Sequence, residues 1–165
     1  RRSRGLGDVY KRQVSTFIME SDIQKYNITK YEHFSKKMYT RNRIYKDEHF
    51  EILLLCWLPN QMAPIHGHEG EKCWFKVLNG SLEICNYSVQ STNPLSLILN
   101  EKIDASIGYV DGPADIHSIK NCSQDPVSTL HIYTKPYDTC AVYDLKKKRI
   151  DRLKMLYHSI DGKLC

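Results

Sequence analysis

The sequence predicts a mainly β domain, a sandwich or closed barrel of short strands with one or two short helices ahead of it. Three observations point there. From Phe50 onward, short runs rich in β-branched and aromatic residues follow one another at close spacing. Gly, Pro, Asn and Asp punctuate them, at Asn93-Pro94, Asp111-Gly112-Pro113, Asn121 and Lys135-Pro136. The 165 residues, 41% hydrophobic and 26% charged, are one domain's worth and enough for a core. No window approaches the apolar length of a membrane span, which predicts a soluble protein.

Taken in order, residues 1–13 (RRSRGLGDVYKRQ) lack the apolar centre of a secretory signal and read as a leader or tag-like segment outside the fold. A single domain over 14–165 remains. Arg1, Arg2, Arg4, Lys11 and Arg12 against Asp8 give that segment +4 of the net +5. The body is therefore nearly neutral, which argues against a nucleic-acid role. Thr29-Lys30-Tyr31-Glu32 has the form of a capping box and predicts a helix over about 29–38, with a further turn around 21–26. Phe50–Leu58 is almost continuously apolar, as a strand buried on both faces would be. Lys72–Leu78, Asn79-Gly80 and Ser81–Val89 read as a hairpin, because Asn-Gly supplies the positive φ of a type I′ turn. Further strands are expected at Leu95–Leu99, Ser106–Val110, Ile116–Ile119, Val127–Thr134, Cys140–Tyr143 and Lys154–His158. Lys146-Lys147-Lys148-Arg149 reads as a solvated loop. The six cysteines (Cys56, Cys73, Cys85, Cys122, Cys140, Cys165) include no CxxC pair, and with no export signal they read as free thiols of a cytoplasmic protein.

The candidate chemistry begins at His66-Gly67-His68. On a strand, side chains at i and i+2 leave one face, so two imidazoles can share a metal. His117, after a Gly112-Pro113 turn, can supply a third imidazole from across a barrel. Three histidines leave open coordination positions, and such a set suits Fe, Zn, Cu or Ni. His33, His49 and His158 sit in polar or helical surroundings and carry no expected role. In Thr129-Leu130-His131-Ile132-Tyr133, alternation puts Thr129, His131 and Tyr133 on one face, where a hydroxyl, an imidazole and a phenol can form one hydrogen-bonded row.

His66-x-His68-x4-Cys73-x6-Gly80 resembles the first cupin motif, with Cys73 where most cupins carry a glutamate ligand, and His117-x3-Asn121 resembles the end of the second. A cysteine at that position is similar to the cysteine dioxygenases. So are Tyr39-Thr40-Arg41-Asn42, Leu54-Leu55-Cys56-Trp57, Leu130-His131-Ile132-Tyr133 and Pro136-Tyr137-Asp138-Thr139-Cys140. The resemblance runs from about Tyr39 to about His158. It implies a cupin double-stranded β-helix, or jelly-roll barrel, in which His66, His68 and His117 bind one Fe(II). It implies L-cysteine and O2 as substrates and cysteine sulfinic acid as product. Arg41, with Tyr39 and Tyr133, would hold the substrate carboxylate. Tyr133, His131, Thr129 and Cys73 would serve catalysis, with a thioether crosslink between Cys73 and Tyr133. It further implies a monomer without nucleic-acid or membrane partners. Thr129 stands where the family usually has Ser, Gly67 where it has a bulkier residue, and Lys135 where it has a second proline preceded by a cis peptide. The helices that usually precede Tyr39 are mostly missing. Two alternatives stay open: 3-mercaptopropionate dioxygenase, where a Gln typically takes the carboxylate and the crosslinking cysteine is absent, and a non-catalytic cupin holding zinc.

Overall fold

The computed structural model describes residues 6–23, 26–68, 70–111 and 115–165. The Gly112-Pro113 turn expected before His117, and part of the turn expected around 21–26, lie outside the described residues. Helix α1 spans Leu6–Glu20, so the boundary drawn after Gln13 falls inside it. The strands are β1 (Thr40–Lys46), β2 (Phe50–Trp57), β3 (Met62–Gly67), β4 (Lys72–Val77), β5 (Ser81–Thr92), β6 (Leu95–Ser106), β7 (Val110–Asp111), β8 (Ile116–Lys120), β9 (Val127–Thr134), β10 (Thr139–Asp144), β11 (Arg149–Lys154), β12 (Ser159–Ile160) and β13 (Lys163–Leu164). They form two sheets, ordered β13-β12-β1-β2-β9-β4-β7 and β11-β10-β3-β8-β5-β6.

The core lies between the sheets. Leu53, Leu55, Trp57, Phe75, Val77 and Val127 of the first meet Ala63, Leu82, Ile84, Ala105 and Ile119 of the second. Trp57 and Phe75 are almost wholly buried, and a side chain of that class contributes about 1.5–3 kcal/mol on leaving water. β2 is indeed buried on both faces. On the outer side, Ile52 of β2, Ile44 of β1 and Leu130 and Ile132 of β9 line a cavity that Phe17 and the buried Ile18 of α1 border from the other side. The Lys76 ammonium fixes that helix by donating to the carbonyls of Ile18, Met19 and Ser21 at 2.9, 3.2 and 3.2 Å. A cation at the helix carboxyl end satisfies carbonyls left unpaired there and complements the macrodipole.

Four sequence expectations are corrected. The helix over 29–38 is only a 3-10 turn, Thr29–Tyr31. The Thr29 hydroxyl donates to Asn27 Oδ1 rather than serving the helix, and the Glu32 carboxylate accepts from the Ser128 hydroxyl at 3.0 Å, so both halves of the capping box are engaged elsewhere. The expected β4–β5 hairpin does not form, because β4 pairs with β9 on one edge and β7 on the other, and β5 pairs with β6 and β8 in the opposite sheet. Asn79-Gly80 instead carries the chain between sheets. Gly80 takes φ +66°, and a Cβ there would meet Val127 Cγ2 at 2.7 Å. Finally, Ser106–Val110 is mostly a turn through Gly108, and Lys154–His158 is mostly the link between β11 and β12. At the Lys135-Pro136 step, Lys135 takes a left-handed φ of +66°, and the cis peptide bond found among the described residues is Asn93–Pro94. No described helix is long and apolar enough to cross a membrane.

Candidate active site

Strand β3 delivers His66, and His68 follows one residue past its end. His117 on β8 is the direct register partner of His66. The ligand atoms of the three lie within 4.8 Å of one another, and the ring centroids are 4.8–5.1 Å apart. All three rings are almost fully buried. His66 Nδ1 is 2.8 Å from the Pro64 carbonyl, which makes it the protonated nitrogen and leaves Nε2 with a free lone pair. Burial, reinforced by His68, pushes the His66 pKa down to about 3, and burial with His66 and His68 pushes His117 well below the usual imidazole range. His117 Nδ1 is buried with no hydrogen-bond partner among the described residues. Neutral, converging nitrogens, one of them lacking a partner, fit a divalent first-row metal.

Beside this group stands β9. Its alternation turns Thr129, His131 and Tyr133 inward, all buried. Trp57 Nε1–H donates to Thr129 Oγ1 at 3.0 Å, and Thr129 Oγ1 lies 2.9 Å from His131 Nε2. His131 Nδ1 faces the Tyr133 hydroxyl at 3.4 Å and the Cys73 sulfur at 3.9 Å. Phe75 stacks on His131, centroids 4.9 Å apart and planes at 12°, and holds the ring in place. Cys73 is paired with Tyr133 in the β4–β9 register. The Tyr133 ring lies 6.0 Å from that of His68, so the row adjoins the histidine group. Burial, then the Cys73 thiol, holds the Tyr133 phenol well above its ordinary pKa, and burial lowers His131.

Arg41 comes from β1 and is 6% exposed. Its Cζ is 5.9 Å from the Tyr133 ring centre, and Tyr39 stacks on Trp57 at 4.5 Å. Nε and Nη1 are buried without hydrogen-bond partners among the described residues, whereas Nη2 lies 3.6 Å from Glu51 Oε2. Burial opposes the guanidinium charge, but Tyr133, Tyr39, Tyr137 and Glu51 outweigh it and the pKa rises. A charged fork with unpartnered N–H groups is ready for a carboxylate. Every residue expected at the site (Tyr39, Arg41, His66, His68, Cys73, His117, Thr129, His131, Tyr133) is thus brought into one region. His33 and His49 are elsewhere, one beside the Gly162 carbonyl and one exposed next to Glu48. Glu51 and Tyr157 were not anticipated. The one acidic residue within the apolar run Phe50–Leu58 was a signal for the first, and nothing in the sequence marked the second.

Two sheets rolled around a core, with three histidines converging from paired strands, define a cupin. The likeness extends to solved structures. A protein with a double-stranded β-helix domain from Klebsiella pneumoniae superposes with TM-score 0.57 at 14% identity, over 74% of this chain and 93% of that one. A cupin protein from Desulfovibrio desulfuricans superposes with TM-score 0.52 at 17% identity, over 68% and 96%. Within that class, the chain belongs to the cysteine dioxygenase type I family, whose model matches residues 8–146. It is 26% identical to human cysteine dioxygenase type 1 over 137 residues, covering 80% of this chain and 68% of the relative. The family places the chain among the thiol dioxygenases.

Proposed function

We propose that this chain is an Fe(II)-dependent dioxygenase that converts L-cysteine and O2 to cysteine sulfinic acid, both oxygen atoms ending on sulfur. The observation that carries the reading is the adjacency of three neutral, buried imidazoles to the Arg41 guanidinium and to the Tyr133–Cys73 pair. His66, His68 and His117 would hold the metal. Bound there, Fe(II) supplies open coordination positions and redox chemistry toward O2, and its +2 charge, undiminished by any carboxylate ligand, favours the thiolate form of the substrate.

The chain's own residues do the rest. Arg41 binds the substrate carboxylate through N–H groups that lack partners among the described residues, with Tyr39, held by its stack on Trp57, beside it. Tyr133 presents its hydroxyl to the substrate. Held by burial in the protonated form, it donates a hydrogen bond to developing negative charge. Thr129 and His131 orient that hydroxyl and, through the His131 ring, can take or return its proton. Cys73, the register partner of Tyr133, would form a thioether bond to the phenol ring, a reaction that removes two hydrogens with O2 as oxidant.

The test is anaerobic reconstitution with Fe(II), then O2 uptake with L-cysteine, 3-mercaptopropionate and cysteamine side by side. Uptake with cysteine, matched by cysteine sulfinic acid, is expected. Zinc retained through purification together with no O2 uptake after Fe(II) addition would exclude the proposal. Preferential turnover of 3-mercaptopropionate would reassign the substrate.

A further inference from the structure

We infer that Glu51 sets how tightly the site holds a carboxylate, acting as a built-in anion on Arg41. The inference rests on Arg41 being the substrate anchor. Glu51 is the one acidic residue of β2 and is 1% exposed. Register places Lys46, Glu51, Tyr133 and Cys73 in one row across β1, β2, β9 and β4, so Glu51 shares the inward face with the candidate site. Its Oε2 lies 3.6 Å from Arg41 Nη2. Its Oε1 accepts from the Tyr157 hydroxyl, which in turn accepts from Lys46 Nζ at 3.1 Å. Arg41, Arg43 and Lys46 face the Tyr157 ring at 5.8, 5.3 and 5.7 Å. Glu51 is therefore the acid at the centre of a cationic cluster, and Tyr157 holds it in place.

Two consequences follow for a substrate. With Nη2 turned to Glu51, an incoming carboxylate takes Nη1 or Nε, which have no partner among the described residues, and reaches a two-pronged grip only by sharing Nη2 with Glu51, because Nε–H and Nη1–H point to opposite sides of the guanidinium. It must also share one guanidinium with a second anion, and like charges close together away from water repel strongly. Glu51 thus orients Arg41 and at the same time weakens its pull on carboxylates. Glu51→Gln keeps the shape and an oxygen for the Tyr157 hydroxyl but removes the charge, leaving Arg41 without a counter-ion among the described residues until the substrate carboxylate arrives.

The experiment measures anaerobic binding of L-cysteine, 3-mercaptopropionate and cysteamine to the Fe(II)-loaded full chain by calorimetry. In Glu51→Gln, the two carboxylate-bearing thiols should bind about ten-fold tighter, while cysteamine, which has no carboxylate, should not change. Tyr157→Phe, which deprives Glu51 of a donor and leaves it leaning on Arg41, should move cysteine the other way, about three-fold weaker, again without effect on cysteamine. It also serves if Glu51→Gln does not fold. A purely structural Glu51 would lower the melting temperature without changing the cysteine-to-cysteamine affinity ratio, and an unmoved ratio in either folded variant overturns the inference while leaving the dioxygenase reading standing. A parent chain that binds none of the three thiols overturns both.

Discussion

A guanidinium withdrawn from water with two nitrogens unpartnered among the described residues carries an unmet desolvation cost, so Arg41 gains more from an anion than a surface arginine would. Arg41→Lys keeps a charge but loses the planar fork. It should weaken cysteine binding by one to two decades, equivalent to about 1.5–3 kcal/mol, as measured by KM or anaerobic titration. His66 yields a pH prediction. Its pKa in the fold, about 3, is below the unfolded value near 6.5, so between those values the unfolded chain binds a proton that the folded chain refuses. That contribution is fully present above about pH 6.5 and is lost as pH falls toward 3. The metal-free protein should therefore melt at steadily lower temperature across this window, and His66→Gln should flatten the slope. Intact mass supplies a third check at this scale. A fraction of the protein should be about 2 Da lighter than its sequence mass from the Cys73–Tyr133 bond, and Cys73→Ser should abolish that species. A lighter species that persists in Cys73→Ser would assign the loss to a different bond.

Among the elements, β9 was the most legible, its bounds and its inward row both following from strict alternation of Thr129, His131 and Tyr133 with Leu130 and Ile132. β4 and β5 were legible as strands but not as partners. Asn79-Gly80 has hairpin chemistry, but whether an edge of β4 is free depends on β7 and β9, which arrive tens of residues later. Gly80→Ala should cost about 1–3 kcal/mol, from the left-handed φ and the 2.7 Å approach to Val127, read as a lower midpoint in denaturant. Local sequence conceals helix α1, because its first residues, Leu6–Gln13, follow an Arg-rich run and carry few apolar side chains, the pattern of a leader. What fastens it is a contact that local sequence does not show, Lys76 on three carbonyls. Lys76→Met should speed hydrogen exchange of the α1 amides while leaving O2 uptake unaltered.

At the level of the whole molecule, nine residues from five strands and the segments adjoining them, scattered between Tyr39 and Tyr133, come into one region because two sheets close around them. The i, i+2 histidines and the alternating row were readable from spacing, whereas Tyr39, Arg41 and Cys73 were marked only by the family resemblance, since no local pattern announces β1 or its arginine. Glu51 shows where such reading stops, since a lone acid in an apolar run reports burial but not which cation it meets. The central claim is that His66, His68 and His117 together hold one iron. Its most direct measurement is anaerobic Fe(II) titration of the metal-free chain and of His66→Ala, His68→Ala, His117→Ala and the exposed control His49→Ala. One Fe(II) per chain is expected for the parent and for His49→Ala, with tight binding lost in each of the other three. Undiminished stoichiometry and affinity in those three variants would contradict it.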